Sequence, residues 1–104
     1  MPNPVMNNTK WDELRLAMNA LDPAPAWSTQ SINGCQSSRD AEWFYHFRDG
    51  GYGDIVHVDI FAADDAMRQQ VRSALRSIHV PGEETEEGFR VFGYAADGQF
   101  VDYL

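Results

Sequence analysis

Residues 54–78 read DIVHVDIFAADDAMRQQVRSALRSI, and their hydrophobic period changes midway. The first part, Asp54 to Ala62, alternates and is rich in β-branched residues, which predicts a strand. Asp64 or Asp65 follows as the predicted N-cap of a helix. One face of that helix carries apolar side chains at helical spacing, namely Met67, Val71, Ala74, Leu75 and Ile78. The centre of the chain is therefore predicted to be a strand followed by an amphipathic helix.

A second amphipathic helix is predicted near the N-terminus, after a flexible tail at residues 1–8. Thr9 to Asp12 matches the Ser/Thr-x-x-Asp/Glu capping pattern. The predicted apolar face consists of Trp11, Leu14, Met18 and Leu21, widened by Leu16, Ala17 and Ala20. The predicted wet side consists of Lys10, Asp12, Glu13, Arg15 and Asn19. The helix should end at Asp22, because a residue that precedes proline disfavours helical geometry.

Two further strands are predicted between these helices. Trp27 to Cys35 is a weak strand, and the aromatic run Glu42 to Arg48 is a strong one. A Gly50–Gly53 loop would pair the aromatic run with the strand at 54–62 and place Trp43, Tyr45, Phe47, Val56, Val58 and Ile60 in the core. The same pairing would place His46 opposite His57, and Phe44 opposite Asp59.

The C-terminal part is predicted to be an acidic loop followed by a hairpin. Arg68, Arg72 and Arg76 form a basic row on the second helix, which Pro81-Gly82 ends. Residues 83–87 then carry four glutamates, and Phe89–Ala95 with Phe100–Tyr103 would form the hairpin. The predicted order is α-β-β-β-α-β-β. We therefore expect one α+β domain at 9–104, with two helices on an antiparallel sheet of about four to five strands.

Charge and composition limit the partners. The 104 residues have a formal net charge of −8, which disfavours direct binding to nucleic acid or to an anionic membrane. There is no apolar run of membrane-spanning length, and residues 1–8 lack the features of a secretory signal. The single cysteine, Cys35, excludes an internal disulfide. We expect a cytoplasmic protein, either a monomer or a homodimer.

The best constellation for chemistry is His46, His57 and Asp59, which the predicted pairing would bring to one sheet face. Two imidazoles and a carboxylate suit a metal ion or a base with an orienting acid. No nucleophile is placed beside them, and the chain carries no phosphate-binding loop, hydrolase elbow or zinc-protease motif. We expect no catalytic residue, no metal and no cofactor. A metal-dependent enzyme that uses these three residues is an alternative, and a small regulatory adaptor is another.

Two motifs carry a family resemblance. The run NNTKWDELR at 7–15 and the run EWFYHFR at 42–48, followed by Gly50-Gly51-Tyr52, resemble an uncharacterised family of small acidic bacterial proteins. Such proteins are similar to immunity proteins of polymorphic toxin and secretion systems. The resemblance implies a non-catalytic protein that neutralises a cognate toxin by occluding its active site or substrate surface. A basic toxin, such as a nuclease, would suit the net charge.

An inhibitor of this kind needs an exposed surface that complements its partner. Two patches are predicted to supply it. The first is the acidic loop, expected to be exposed and free, with Glu83, Glu84, Glu86 and Glu87. The second is an aromatic patch on the outer side of the sheet, with Phe44, Asp59 and Phe61.

Overall fold

A computed structural model describes residues 3–47, 51–95 and 101–104. Within those ranges the elements are β1 (Asn3–Pro4), α1 (Asn8–Asn19), β2 (Ala26–Ser31), β3 (Ile55–Phe61), α2 (Asp65–Ile78), β4 (Gly82–Glu84), β5 (Gly88–Phe92) and β6 (Tyr94–Ala95). The antiparallel order β2-β3-β5-β4 forms a four-stranded sheet, and β1 pairs with β6. The predicted α+β class is confirmed. Neither helix of the described residues has the length and hydrophobicity needed to cross a membrane.

The core lies between the two helices and the inner face of the sheet. Val58 of β3 pairs with Thr29 and Val91, and Ile60 pairs with Trp27 and Phe89, so these residues share that face. One buried cluster joins them to both helices through Trp11, Leu14, Met18, Val71 and Leu75. The predicted core positions of Val58, Ile60 and Leu75 are confirmed, whereas Val56 is only half-buried and its neighbour Ile55 belongs to the buried cluster. Asp64 caps α2 as predicted, since its side chain accepts a hydrogen bond from the Met67 N–H at 2.8 Å.

The start of the chain differs from its prediction in two ways. Asn7, rather than Thr9, caps α1 by accepting a hydrogen bond from the Lys10 N–H at 2.8 Å. Residues Asn3–Pro4, predicted to belong to a flexible tail, pair with β6, and the Val5 N–H donates to the Gly93 carbonyl at 2.9 Å.

The two sides of the first helix also differ from the prediction, and Ala20, predicted on its apolar face, is exposed. Leu16 is exposed, whereas Arg15, predicted on the wet side, is only 5% exposed. The Arg15 Nη1 donates to the Phe44 carbonyl at 2.5 Å, and its Nε lies 3.5 Å from the Asp12 carboxylate. This buried arginine therefore has a hydrogen-bond acceptor that is distant in sequence and a carboxylate one helical turn earlier.

The predicted strand over Glu42–Arg48 is wrong within the described part, 42–47. The Glu42 carboxylate instead accepts hydrogen bonds from the backbone N–H groups of Tyr45 and His46 at 2.9 and 2.8 Å. These bonds, with the His46 bond as the larger cause, lower the pKa of Glu42. Trp43 and Phe47, four residues apart, are buried as predicted, but Tyr45 is 65% exposed. A local turn has replaced the strand, so its predicted pairing with β3 is also wrong.

The outer edge of β2 is covered by the chain that returns from it. Trp27 and Asp40 exchange backbone hydrogen bonds at 2.7 and 2.9 Å, and the Ser37 N–H donates to the Thr29 carbonyl at 2.9 Å. Residues 36–40 therefore run antiparallel along β2. This pairing fixes the backbone around Arg39 beside the sheet.

The C-terminal part contains a strand, β4, where the first half of an acidic loop was predicted. Glu83 and Glu84 belong to β4, and only residues 85–87 connect β4 to β5. The turn of the predicted final hairpin, 96–98, lies outside the described residues. The predicted pairing of its second strand with Phe89–Ala95 is wrong within the described part, since Tyr103 bridges to Pro81 and the Gly82 N–H donates to the Asp102 carbonyl at 2.9 Å. The end of the chain runs beside residues 80–82, since the Leu104 N–H donates to the Val80 carbonyl at 2.9 Å.

Candidate partner-binding surface

The outer face of the sheet carries a polar row that crosses all four strands. The register aligns Ser28 of β2, Asp59 of β3, Arg90 of β5 and Glu83 of β4. Arg90 binds Asp59 through two hydrogen bonds, Nε to Oδ1 at 2.7 Å and Nη2 to Oδ2 at 3.3 Å. A bidentate pair of this kind fixes both side chains in the plane of the face. Glu83 is exposed at the end of the row.

Residues of the two predicted patches meet in one cavity beside this row, at the turn 85–87 between β4 and β5, which we call the acidic turn. The volume of this cavity is about 290 Å³, and it is lined by Asp59, Ile60, Phe61, Thr85, Glu86, Glu87 and Arg90. The sequence predicted Glu86 and Glu87 in one patch and Asp59 and Phe61 in another. The register brings them together, because Phe61 at the end of β3 pairs with Gly88, directly after the turn. The Ala62 N–H also donates to the Glu87 carbonyl at 2.9 Å.

A second cavity lies on the other side of Phe61. It has a volume of about 410 Å³, and Phe61 and Glu87 line it as well as the first cavity. Its remaining lining is mainly small and apolar: Ala24, Ala26, Ala41, Ala62, Ala63 and Met67, with Arg39. We refer to Asp59, Phe61, Glu86, Glu87 and Arg39 as the Phe61 surface. The cavity of about 290 Å³ forms its polar end, and the cavity of about 410 Å³ forms its apolar end.

Arg39 is the residue of this surface that sequence reasoning missed. Its guanidinium carbon lies 3.8 Å from the centroid of the Phe61 ring, and its Nη2 lies 3.3 Å from the Glu87 carboxylate. Nothing in the sequence around Arg39 signals this position. It depends on the return of residues 36–40 along β2.

The acidic turn is fixed rather than free, contrary to its prediction. Arg68 of α2 donates to the Glu86 carbonyl at 2.7 Å through Nη2 and to the Thr85 carbonyl at 3.0 Å through Nη1. Because two backbone carbonyls are held by one planar group, the turn keeps one orientation relative to α2. Glu86 and Glu87 therefore project from a rigid base.

Glu84 is directed away from the Phe61 surface. Its position in β4 places it opposite Phe89 on the inner face, and its carboxylate binds Arg72 at 2.7 Å and Arg68 at 2.9 Å. These two arginines, with the Arg72 hydrogen bond as the larger cause, lower the pKa of Glu84. Two of the three arginines in the predicted basic row are thus engaged within the chain.

Phe44 lies apart from the other predicted partner-binding residues. Its ring lies 4.8 Å from the Arg15 guanidinium of α1 and 4.9 Å from the Tyr45 ring. The prediction placed Phe44 opposite Asp59 only because a strand was expected at 42–48. Without that strand, Phe44 does not reach the outer sheet face.

The predicted cluster of His46, His57 and Asp59 is not formed. His46 binds Asp40 instead, with Nδ1 to Oδ2 at 2.8 Å. His57 lies 3.9 Å from Asp59, whose carboxylate is already held by Arg90. Burial, and secondarily the charge of Arg90, lower the pKa of His57, which favours the neutral ring. In the described ranges no three His, Cys, Asp or Glu side chains are grouped as metal ligands.

Comparison with known proteins gives one match. No curated protein and no solved structure matches the chain. Residues 3–98 match DUF6678, a family of unknown function. This match includes the sheet, both helices and every residue of the Phe61 surface. The chain therefore belongs to the family DUF6678.

Proposed function

We propose that this protein is a non-catalytic immunity protein that binds and neutralises a basic toxin through the Phe61 surface. The observation that carries the proposal is the meeting of three carboxylates around one aromatic ring on a rigid part of the fold: Asp59 is paired with Arg90, whereas Glu86 and Glu87 are exposed. The family resemblance of the 7–15 and 42–48 motifs supports the immunity role, which would be exercised in the cytoplasm.

The geometry suits fast and specific binding of a cationic protein. Carboxylates on the rim attract a basic partner over long range and raise the association rate. An aromatic side chain in the centre of a patch is the kind of anchor that slows dissociation. Because Arg68 already fixes the turn, little conformational entropy remains to be lost on binding. A net charge of −8 adds to the attraction.

Co-expression with the gene next to its own tests the proposal. We expect the parent protein to rescue growth from a toxic neighbouring product and to co-purify with it. The double variant Glu86→Lys/Glu87→Lys should weaken both effects. Glu13→Lys/Asp102→Lys is the matched control, because it changes the net charge equally at exposed residues away from the Phe61 surface.

Three results would decide against the proposal. If the parent binds no neighbouring product and rescues no growth, the immunity role fails and an adaptor for another endogenous partner replaces it. If both double variants weaken binding equally, overall charge rather than the Phe61 surface determines binding. Stoichiometric zinc or manganese in the purified protein, lost on His57→Ala, would contradict a non-catalytic role.

A further inference from the structure

The Phe61 surface holds an arginine of the chain itself in the position that a basic partner would need. Arg39 stacks on the Phe61 ring at 3.8 Å and meets the Glu87 carboxylate at 3.3 Å. A flat aromatic face beside a carboxylate matches the two ways in which a guanidinium is recognised, by stacking and by charge. We call the Phe61 ring and the Glu87 carboxylate together the arginine seat.

We propose that the arginine seat binds an arginine side chain of a basic protein partner, and that Arg39 occupies the seat in the free protein and is displaced on binding. This inference rests on the proposed function, since it names the group of the partner that the Phe61 surface recognises. The ligand class is a protein segment with an exposed arginine next to an apolar residue.

Displacement of Arg39 is energetically feasible. The Arg39 and Glu87 side chains are 61% and 67% exposed, and an ion pair between exposed groups contributes little stability. The backbone of residue 39 is held by the exchange of hydrogen bonds between Trp27 and Asp40. Only the side chain of Arg39 therefore has to move.

The cavities on either side of the seat define the rest of the partner segment. The polar cavity of about 290 Å³ adds the exposed carboxylate of Glu86, beside the Asp59–Arg90 ion pair, which suits a basic side chain. The apolar cavity of about 410 Å³, lined largely by alanines and Met67, suits an aliphatic or aromatic side chain. The two cavities share Phe61 and Glu87, so both would be filled by neighbouring residues of one segment.

Peptide probes test the seat without any natural partner. Fluorescein-labelled nona-arginine and nona-lysine would be titrated at low ionic strength with the parent, Arg39→Ala and Arg76→Ala. Arg76 is an exposed arginine of α2, so its removal changes the net charge by the same amount and leaves the seat intact.

We expect Arg39→Ala to bind nona-arginine about three- to tenfold more tightly than Arg76→Ala does, because the competing occupant is gone. Nona-lysine should distinguish the two variants by less than twofold, since an ammonium group does not stack flat on a ring. Adding Glu87→Gln or Phe61→Leu to Arg39→Ala should abolish the gain for nona-arginine. Glu87 is exposed, so its variant is not expected to disturb folding.

Equal affinities of Arg39→Ala and Arg76→Ala for nona-arginine would overturn the seat, and so would equal gains for the two peptides. Sedimentation of the free protein examines the other occupant, a second copy of the chain. A dimer that is lost on Phe61→Leu would assign the surface to self-association and overturn the proposal. Failure of the neighbouring gene product to bind leaves these peptide results unchanged, so the immunity role and the seat fail separately.

Discussion

Replacement of Arg68 by methionine should show that the acidic turn depends on α2 for its position. Methionine keeps the aliphatic stem and removes the guanidinium, which donates to the Glu86 carbonyl at 2.7 Å and to the Thr85 carbonyl at 3.0 Å. Arg72→Met is the matched control, because Arg72 lies one turn later on the same helix. Like Arg68, it binds the Glu84 carboxylate and faces the Phe89 ring, whereas the hydrogen bonds to the turn backbone come from Arg68.

The expected loss follows from the two backbone hydrogen bonds. A hydrogen bond to a charged group contributes about 1.5–3 kcal/mol when well protected, and about 1 kcal/mol is appropriate here because Arg68 is partly exposed. Two such bonds give a loss of about 2 kcal/mol in the free energy of unfolding for Arg68→Met. For a domain of this size, that loss lowers the melting temperature by about 8–16 °C. Arg72→Met should remain close to the parent.

Urea unfolding followed by tryptophan fluorescence measures the loss, and hydrogen exchange locates it. Arg68→Met should speed exchange of the Thr85 and Gly88 N–H groups, which bond to each other's carbonyls across the turn. Equal destabilisation by Arg68→Met and Arg72→Met would refute the reasoning. Unchanged exchange at the turn would also refute it, even if the protein were less stable.

Three further outcomes are expected. Trp43→Ala should lower the free energy of unfolding by about 3–5 kcal/mol in chemical denaturation, whereas Tyr45→Ala, at an exposed position of the same turn, should change it by less than about 0.5 kcal/mol. The folded-state pKa of Glu84 lies below its usual 4.5 because Arg72 and Arg68 bind the ionised carboxylate. The stability contributed by these ion pairs is therefore present above pH 4.5 and is lost as the pH falls and the carboxylate is protonated. Glu84→Gln should flatten the fall of the urea midpoint below pH 4.5. Burial, and then the hydrogen bond to a nearby carboxylate, raise the pKa of Tyr52 to about 12, so ultraviolet titration should show a late phenolic transition that Tyr52→Phe removes.

The elements that the sequence predicts correctly are those in which the spacing of apolar residues directly reflects which side chains are buried. The helix α2 has one apolar stripe and an aspartate cap, and β3 alternates with Val58 and Ile60 inside, so local pattern and tertiary structure agree. The same alternation correctly predicts Asp59 and Phe61 on the outer face. These positions need only the two-residue period of a strand.

The aromatic run at 42–47 shows why a pattern can mislead. Trp43 and Phe47 are both buried. A strand would bury both because they lie an even number of residues apart, and a turn would also bury both because it places residues four apart on one side. Glu42 favours the turn over the strand, because its carboxylate accepts hydrogen bonds from the Tyr45 and His46 N–H groups. The loss of that strand separates His46 from His57 and Phe44 from Asp59.

The Phe61 surface depends on long-range pairing that local pattern does not contain. Glu86 and Glu87 reach Phe61 through the register of β3 with β5, and Arg39 reaches it through the return of residues 36–40 along β2. The burial of Arg15 has the same kind of cause, since its hydrogen-bond acceptor is the Phe44 carbonyl, 29 positions further along the chain. Each contact requires the folded chain.

Stopped-flow association with the co-purified neighbouring gene product, measured as a function of salt, tests the central claim most directly. The Debye length falls from about 10 Å at 0.1 M salt to about 3 Å at 1 M, so attraction by surface carboxylates fades over this range. We predict that Glu86→Lys/Glu87→Lys lowers the association rate constant about tenfold at low salt and flattens its salt dependence. Glu13→Lys/Asp102→Lys should retain most of the rate and the slope of the parent. Identical rates and slopes for the parent and Glu86→Lys/Glu87→Lys would contradict the assignment of binding to the Phe61 surface.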